Sequence, residues 1–259
     1  MEWEVWIMAN KELFNQADYY KSILEKKGPY NKEQKKDLIS ASKIDFIYSN
    51  SYIEGNSLSY EEIKRLLIDG ITVEGKSIKD YYEVSGQAQA FDYMLEQGQA
   101  QQLEINEDII KRLHYLYYYR VNIDEAGQYR NTDEVVGAYG KIKTAKVNDL
   151  SHLMEHLSGQ IISSQRFMHP IELAAMGHKR LIDISPFREG NGIVARLFMN
   201  LILVRAGYGI TCISPNKREE YINALALSQK DIIPDIDPLI DLVAESVATS
   251  LKEGCKFEA

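Results

Sequence analysis

The chain has 259 residues, and its 45% hydrophobic and 26% charged residues are ordinary globular values that exclude wholesale disorder. Its 38 acidic side chains outnumber the 30 basic ones, and the net charge of −8 argues against a broad nucleic-acid-binding surface. The two cysteines, Cys212 and Cys255, form neither a disulfide framework nor a cysteine-rich metal site, which favours a reducing compartment. No signal-peptide or membrane-span pattern is present, so we expect a cytoplasmic protein that binds neither membrane nor nucleic acid.

Apolar residues recur at intervals of three and four through most of the chain, which predicts a mainly α fold. The predicted helices are Glu33–Ile53, Ser59–Leu67, Lys79–Gln97, Asn106–Tyr119, Asp149–Ser163, His169–Ile182, Gly192–Ala206, Lys217–Ser228 and Pro238–Lys252. The second opens with a capping box of Ser59 and Glu62 and stops at Gly70. Between Tyr129 and Val147, two short extended runs around a glycine turn predict a β-hairpin.

The sequence ISPFREGNGIVAR, residues 184–196, is the segment most informative about chemistry. Its proline predicts the end of one helix, and two glycines then permit positive φ before a new helix begins near Gly192. A glycine loop that opens a helix presents free N–H groups and the positive end of the helix dipole, which together form an anion site. Asn191 can add its amide, Glu189 can hold a divalent cation that bridges phosphates, and Arg196 can reach a terminal phosphate. By itself, Gly-Asn-Gly is also a common turn.

The run Pro-Phe-x-Glu-Gly-Asn-Gly resembles the signature of Fic-domain proteins, which is His-Pro-Phe-x-Asp/Glu-Gly-Asn-Gly-Arg-x-x-Arg. Residues 76–84, 126–130 and 205–208 resemble further parts of that family. The resemblance implies a Fic-type helical domain with a short β-hairpin flap, here over residues 76–259, after an N-terminal helical extension over residues 1–75. It also implies a protein adenylyltransferase, which uses ATP and Mg²⁺ and moves AMP to a hydroxyl of a target protein or of itself.

The resemblance further assigns roles to the matching positions. Glu189 would hold Mg²⁺ and Arg196 would meet the γ-phosphate, while the phosphates would be cradled by the loop residues Gly190, Asn191 and Gly192. Asn191 and Arg196 are therefore candidate catalytic residues as well as nucleotide-binding ones.

Two positions depart from the signature. Ser185 stands where the family has its general-base histidine, and Ile193 stands where it has its first arginine. A serine hydroxyl is too weak a base, so we expect the general-base contribution of about 10²–10⁴ in rate to be missing. His178 lies about 10 Å along its helix from Ser185, too far to replace that base. Such transfer rests mainly on positioning and electrostatics, so slow transfer or self-modification remains physically possible.

The segment SNSYIEGN, residues 49–56, resembles the family's inhibitory helix motif, Ser/Thr-x-x-x-Glu-Gly/Asn. Glu54 and Gly55 match, whereas Asn50 takes the place of Ser/Thr and Ser51 is adjacent. The resemblance implies an ion pair from Glu54 to Arg196 that occupies the guanidinium needed by the γ-phosphate. By itself, the segment is also a simple helix end closed by glycine. Some relatives use this glutamate to remove AMP, so the direction of the reaction stays open.

Further interpretations concern the flap, the adenine pocket and two other possible functions. The flap around Val135–Gly137 would dock an extended target segment by strand addition, with Val136 and Gly137 beside the nucleotide. Tyr221 and Gln229 match positions near the family's adenine pocket. Because of Ser185, the alternative function is an ATP-binding pseudoenzyme that acts as a sensor or interaction switch. A helical interaction module that binds no nucleotide is the third hypothesis.

Overall fold

The computed structural model describes residues 11–27, 31–101, 105–136, 142–230 and 234–256, and these ranges contain ten α-helices. The helices are α1 (Lys11–Lys27), α2 (Lys32–Glu54), α3 (Tyr60–Asp69), α4 (Ile78–Gln99), α5 (Glu107–Tyr118), α6 (Leu150–Ser164), α7 (Pro170–Ile184), α8 (Asn191–Arg205), α9 (Arg218–Leu227) and α10 (Asp237–Lys256). The mainly α prediction is confirmed. None of the described helices combines the length and the apolar character that crossing a bilayer requires.

Helix α8 lies at the centre of the fold. It packs against α4 and α7, and α2 and α5 also contact it. Every residue from Asn191 to Leu203 is buried, as expected for a helix whose circumference is largely apolar. The polar side chains on α8 must therefore find partners inside the protein. Asn200 does so by bonding to the backbone of Arg196 and Thr211.

Helix α1 is not among the predicted helices, although its sequence carries a helical signal. Leu13, Ala17, Tyr20 and Leu24 follow one another at intervals of three and four. These residues pack against the core, and α1 lies along α10. The N-terminal helix therefore contacts the C-terminal helix.

The C-terminal end of α2 is fixed at a defined position. Gly55 adopts the left-handed conformation, with φ of 86°, and its N–H bonds the carbonyls of Ser51 and Tyr52. From α9, the Nε of Arg218 donates to the carbonyl of Ile53 at 2.9 Å. These contacts place Glu54, the last residue of α2.

The predicted β-hairpin is not confirmed. Residues 129–136 and 142–146 contain no strand, and the predicted turn at residues 137–141 lies outside the described residues. The backbone on both sides pairs with other parts of the protein. The Val136 N–H donates to the Arg188 carbonyl at 2.6 Å, and the Gln229 side chain bonds both backbone groups of Lys143.

His114 on α5 supports the loop that precedes α8. Its ring stacks on Phe187 with 3.8 Å between the ring centroids. Its Nδ1 accepts the Gly127 N–H at 2.9 Å, so Nε2 carries the proton and donates to the Glu189 carbonyl at 3.1 Å. Burial lowers the pKa of His114 to about 3, so the ring is neutral at physiological pH.

We expect the stability of the protein to fall on acidification because of this histidine. Between pH 6.5 and pH 3 the unfolded chain binds a proton that folded His114 excludes, so the free energy of unfolding decreases as the pH falls. From pH 7 to pH 5 the loss from this one ring is about 2 kcal/mol. Urea unfolding at both pH values should show His114→Gln losing about 2 kcal/mol less than the wild type. His152→Gln, at an exposed position, is the control, and equal pH dependence in all three proteins would contradict this assignment.

Gly86 should be essential for the packing of α4 on α5. A Cβ at this position would overlap the backbone carbonyl of Tyr117, whereas a Cβ at Gly159 in α6 would meet nothing within 4 Å. We expect Gly86→Ala to destabilise the protein by about 2 kcal/mol or more in urea unfolding. Gly159→Ala should stabilise it by about 0.5–1 kcal/mol through helix propensity. Similar effects of the two substitutions would contradict the close approach.

Candidate functional site

Ser185 is the residue that follows α7 and begins the loop before α8. It is the only non-glycine residue with positive φ among the described residues, at 44°. Its N–H bonds the Leu181 carbonyl at 2.8 Å, and its hydroxyl donates to the Ile182 carbonyl at 2.6 Å. The hydroxyl proton thus points into its own helix, and the group at the expected base position is a helix cap.

The buried side chain of Arg130 bonds to the backbone of this loop. Its Nε donates to the Ser185 carbonyl at 2.8 Å, and its other nitrogens donate to the carbonyls of Thr132 and Ala145 at 2.7 and 2.5 Å. Its own N–H bonds the Pro186 carbonyl at 2.8 Å. Arg130 therefore connects the backbone at Thr132 and at Ala145 to the loop that follows α7.

Asn191 closes the loop on itself. Its Oδ1 accepts the Phe187 N–H at 3.0 Å, and its Nδ2 donates to the Phe187 carbonyl at 2.7 Å. The sequence predicts that this amide binds a ligand, but in the structure both its oxygen and its nitrogen bond to the backbone of Phe187. Asn191 can therefore offer a ligand its backbone N–H and the second proton of Nδ2.

Gly190 caps α8 and lies against α5. It has φ of 82° and offers no side-chain cap to the helix. A Cβ at Gly190 would lie 2.5 Å from Cε1 of Tyr117, so only glycine fits. The N–H groups of the first turn of α8 accordingly face outward, together with the positive end of the helix dipole.

A cavity of about 230 Å³ lies at this helix end. Its lining includes Gly190, Asn191, Gly192, Ser185 and Glu54, together with Val135, Val136, Asp133, Ile142, Thr144 and Ile182. Pockets for drug-sized ligands are larger, roughly 300–1,000 Å³. The cavity is smaller than such pockets, and Glu54 is its only lining residue that comes from α2.

The guanidinium of Arg196 binds the end of α2. Its side chain is 1% exposed, and one terminal nitrogen lies 2.6 Å from Oε1 of Glu54. Its Nε donates to Oδ1 of Asn50, also at 2.6 Å. The expected ion pair is therefore present, and Asn50 accepts a hydrogen bond as a serine or threonine would at that position.

Ser51 does not take part in this contact. Its hydroxyl accepts a hydrogen bond from Nε2 of Gln87 on α4, at 3.0 Å. Ser51 therefore anchors α2 to α4, and Asn50 rather than Ser51 completes the contact with Arg196.

Tyr221 and His178 stand behind Arg196. Arg196 donates to the Tyr221 hydroxyl at 3.1 Å, and that hydroxyl lies 2.9 Å from Nε2 of His178. Burial, and secondly the charge of Arg196, lower the pKa of His178 to about 3, so its Nε2 accepts the tyrosine proton. Tyr221 is fully buried and does not line the cavity, so here it supports Arg196.

Both carboxylate oxygens of Glu189 accept hydrogen bonds. Its Oε1 lies 2.6 Å from Nζ of Lys79, and its Oε2 accepts the Tyr118 hydroxyl at 2.7 Å. Burial and then Glu189 raise the pKa of Tyr118, which keeps this hydroxyl a donor. Burial alone would lower the pKa of Lys79, but Glu189 and Glu83 outweigh it and raise that pKa.

The carboxylate of Glu189 is the candidate ligand for Mg²⁺. No group of three or more His, Cys, Asp or Glu side chains in the described part of the chain is arranged to hold a metal. Mg²⁺ in nucleotide sites usually takes one or two carboxylates plus phosphate oxygens. Glu189 fits that pattern once Lys79 leaves Oε1.

The remaining predicted residues lie at different places. Val136 lines the cavity, whereas Gly137 lies outside the described residues. Gln229 does not line the cavity and instead binds Lys143 and Asp183. Ile193, at the position of the family's first arginine, is buried in the core.

Sequence reasoning missed Arg130, His114 and Lys79 as parts of the site. Arg130 and Lys79 lie in the two segments, 126–130 and 76–84, that resemble the family outside its signature. That likeness was the available signal. His114 gave none, because a single histidine on a helix is usually a packed residue.

Comparisons with known proteins give the family of this chain. Residues 104–203 match the model of the Fic/DOC family. The chain is 33% identical to "Protein adenylyltransferase Fic" of Drosophila grimshawi over 206 residues, which are 79% of this chain and 41% of that relative. The protein of the same name from Aedes aegypti is 33% identical over 213 residues, 80% of this chain and 41% of the relative. The chain thus spans about two fifths of the length of these curated relatives.

A solved structure also matches nearly the whole fold. The crystal structure of a Fic-domain-containing signalling protein from Bacteroides thetaiotaomicron superposes with a TM-score of 0.84 at 25% identity, covering 93% of this chain and 97% of that one. The chain therefore contains a Fic/DOC domain and is a member of that family.

Proposed function

We propose that this protein is a protein adenylyltransferase, which moves AMP from ATP to a hydroxyl of a target protein or of itself. The observation that carries the proposal is that one cavity is lined both by the helix N-terminus at Gly190 and by Glu54, the ion-pair partner of the buried Arg196. The relatives that carry the adenylyltransferase name support it. We further propose that residues 1–75 carry the inhibitory motif that contains Glu54, that residues 76–259 form the catalytic core and that the protein acts in the cytoplasm.

The phosphates would lie at the N-terminus of α8. The backbone N–H groups of Asn191 and Gly192 supply hydrogen bonds to a chain of negative oxygens. Arg196 supplies a bidentate donor for the terminal phosphate once Glu54 releases it. Glu189 would hold Mg²⁺, which when bound neutralises charge on the phosphates. A target segment would dock at Val135–Gly137, of which Val135 and Val136 line the cavity.

Ser185 limits the rate of this reaction. No imidazole stands at the end of α7, and the serine hydroxyl donates its proton to the Ile182 carbonyl. The hydroxyl of the target must therefore react without a strong general base. The same observation favours the second candidate function, a protein that binds ATP without transferring AMP.

Removal of Glu54 should strengthen ATP binding. Glu54→Ala frees the guanidinium of Arg196 and opens the cavity, so we expect calorimetry with ATP and Mg²⁺ to show at least about tenfold tighter binding than in the wild type. Glu61→Ala, which removes an exposed acid from α3, is the matched control and should have no effect. Adding Arg196→Met to Glu54→Ala should abolish the gain. Equal ATP affinity of the wild type and Glu54→Ala would contradict the inhibitory role of Glu54.

Restoring an imidazole should restore turnover. In the Glu54→Ala background we expect Ser185→His to transfer label from α-labelled ATP to protein about 10²–10⁴ times faster than Ser185→Asn. Asparagine is the matched control, because it and histidine both tolerate positive φ at this position but only histidine is a base. Tight ATP binding with no label transferred by any of these variants would replace the transferase by the second candidate.

A further inference from the structure

Lys79 is placed between two carboxylates, one on the loop before α8 and one on its own helix. Its ammonium lies 2.6 Å from Oε1 of Glu189 and 3.6 Å from Oε1 of Glu83. The first distance is a direct charge-assisted hydrogen bond, and the second is an ion pair without one. A small movement of the lysine side chain exchanges the two partners.

The ammonium thus stands against the oxygen that a divalent cation would use. An ammonium that donates a hydrogen bond to a carboxylate oxygen uses one of its lone pairs and repels any metal cation that approaches the same oxygen. We propose that Lys79 is a built-in competitor of the metal at Glu189, and that Glu83 receives the ammonium when the metal takes its place. This inference rests on the proposed function, because it assumes that Glu189 is the metal-holding carboxylate.

Glu83 is oriented by Asn56, which lies just after the end of α2. Nδ2 of Asn56 donates to Oε2 of Glu83 at 3.0 Å and to the carbonyl of Asp80 at 3.2 Å. Asn56 follows Glu54 by two residues. Residues 54–56 therefore touch both charged parts of the phosphate site, Arg196 directly and Lys79 through Glu83.

The ion pair is weak enough to be exchanged. The side chain of Lys79 is 46% exposed, so solvent screens its attraction to Glu189. A divalent ion, with twice the charge and bound phosphates as further ligands, can displace it. Loss of the ammonium should therefore raise metal affinity by about three- to tenfold rather than by orders of magnitude.

The test measures Mn²⁺ affinity by electron paramagnetic resonance, with a non-hydrolysable ATP analogue bound and Glu54→Ala as the background. Lys79→Met should tighten Mn²⁺ binding about three- to tenfold. Lys76→Met is the matched control, because it removes an equal charge close by whose partner is Glu62, at 3.4 Å. Equal gains from the two substitutions would reduce the effect to general electrostatics and overturn the proposal, as would weaker binding in Lys79→Met.

Glu83→Gln gives a second, independent readout. With its alternative partner removed, Lys79 should stay on Glu189, so Mn²⁺ binding should weaken. In the Lys79→Met background the same substitution should have a clearly smaller effect, because Glu83 acts through Lys79. An effect of equal size in both backgrounds would also overturn the proposal.

The binding of the analogue separates this inference from the proposed function. If the analogue does not bind, the proposed function fails, and the inference fails with it. If it binds and Mn²⁺ affinity does not respond to Lys79, only the inference fails.

Discussion

The buried charge of Arg196 is the constraint on which the rest of the structure depends. The central helix α8 is enclosed by other helices, so a guanidinium on it needs partners inside the protein. Glu54 and Asn50 on α2 supply them at one end and Tyr221 at the other. Breaking a buried pair by removing one partner typically costs about 3–5 kcal/mol, so the pair holds the end of α2 against α8. In the proposed function, a terminal phosphate takes the place of Glu54.

The loop beside Arg196 is built so that backbone, rather than side chains, faces the cavity. Arg130 holds the carbonyls of the loop, Asn191 ties its two ends together and His114 supports it through Phe187. Each of these side chains bonds to or packs against the loop. The N–H groups at the start of α8 are left for a ligand and need no rearrangement to receive one.

Much of the fold could be predicted from the sequence, because amphipathic spacing and capping residues are local signals. The capping box of Ser59 and Glu62 is present, and Gly70 ends α3 with φ of 70°, as predicted. The β-hairpin was expected from extended residues, yet Val136 and Lys143 pair with Arg188 and Gln229. Tertiary contacts of this kind leave no local pattern.

The candidate site was predictable only in part, for the same reason. The resemblance identified Glu54 and Arg196, which the structure brings together. It could not show that Ser51 bonds to Gln87, that Asn191 spends its amide on Phe187, or that Lys79 reaches Glu189. Each of these contacts joins or closes segments through side-chain geometry, which a motif does not encode.

A crystal structure of the Glu54→Ala protein with ATP and Mg²⁺ tests most directly whether a phosphate takes the place of the glutamate. We expect a terminal nitrogen of Arg196 within about 2.7–3.2 Å of a γ-phosphate oxygen, with the N–H groups of Asn191 and Gly192 facing the other phosphates. A triphosphate bound away from α8, with Arg196 still joined only to its protein partners, would contradict the account.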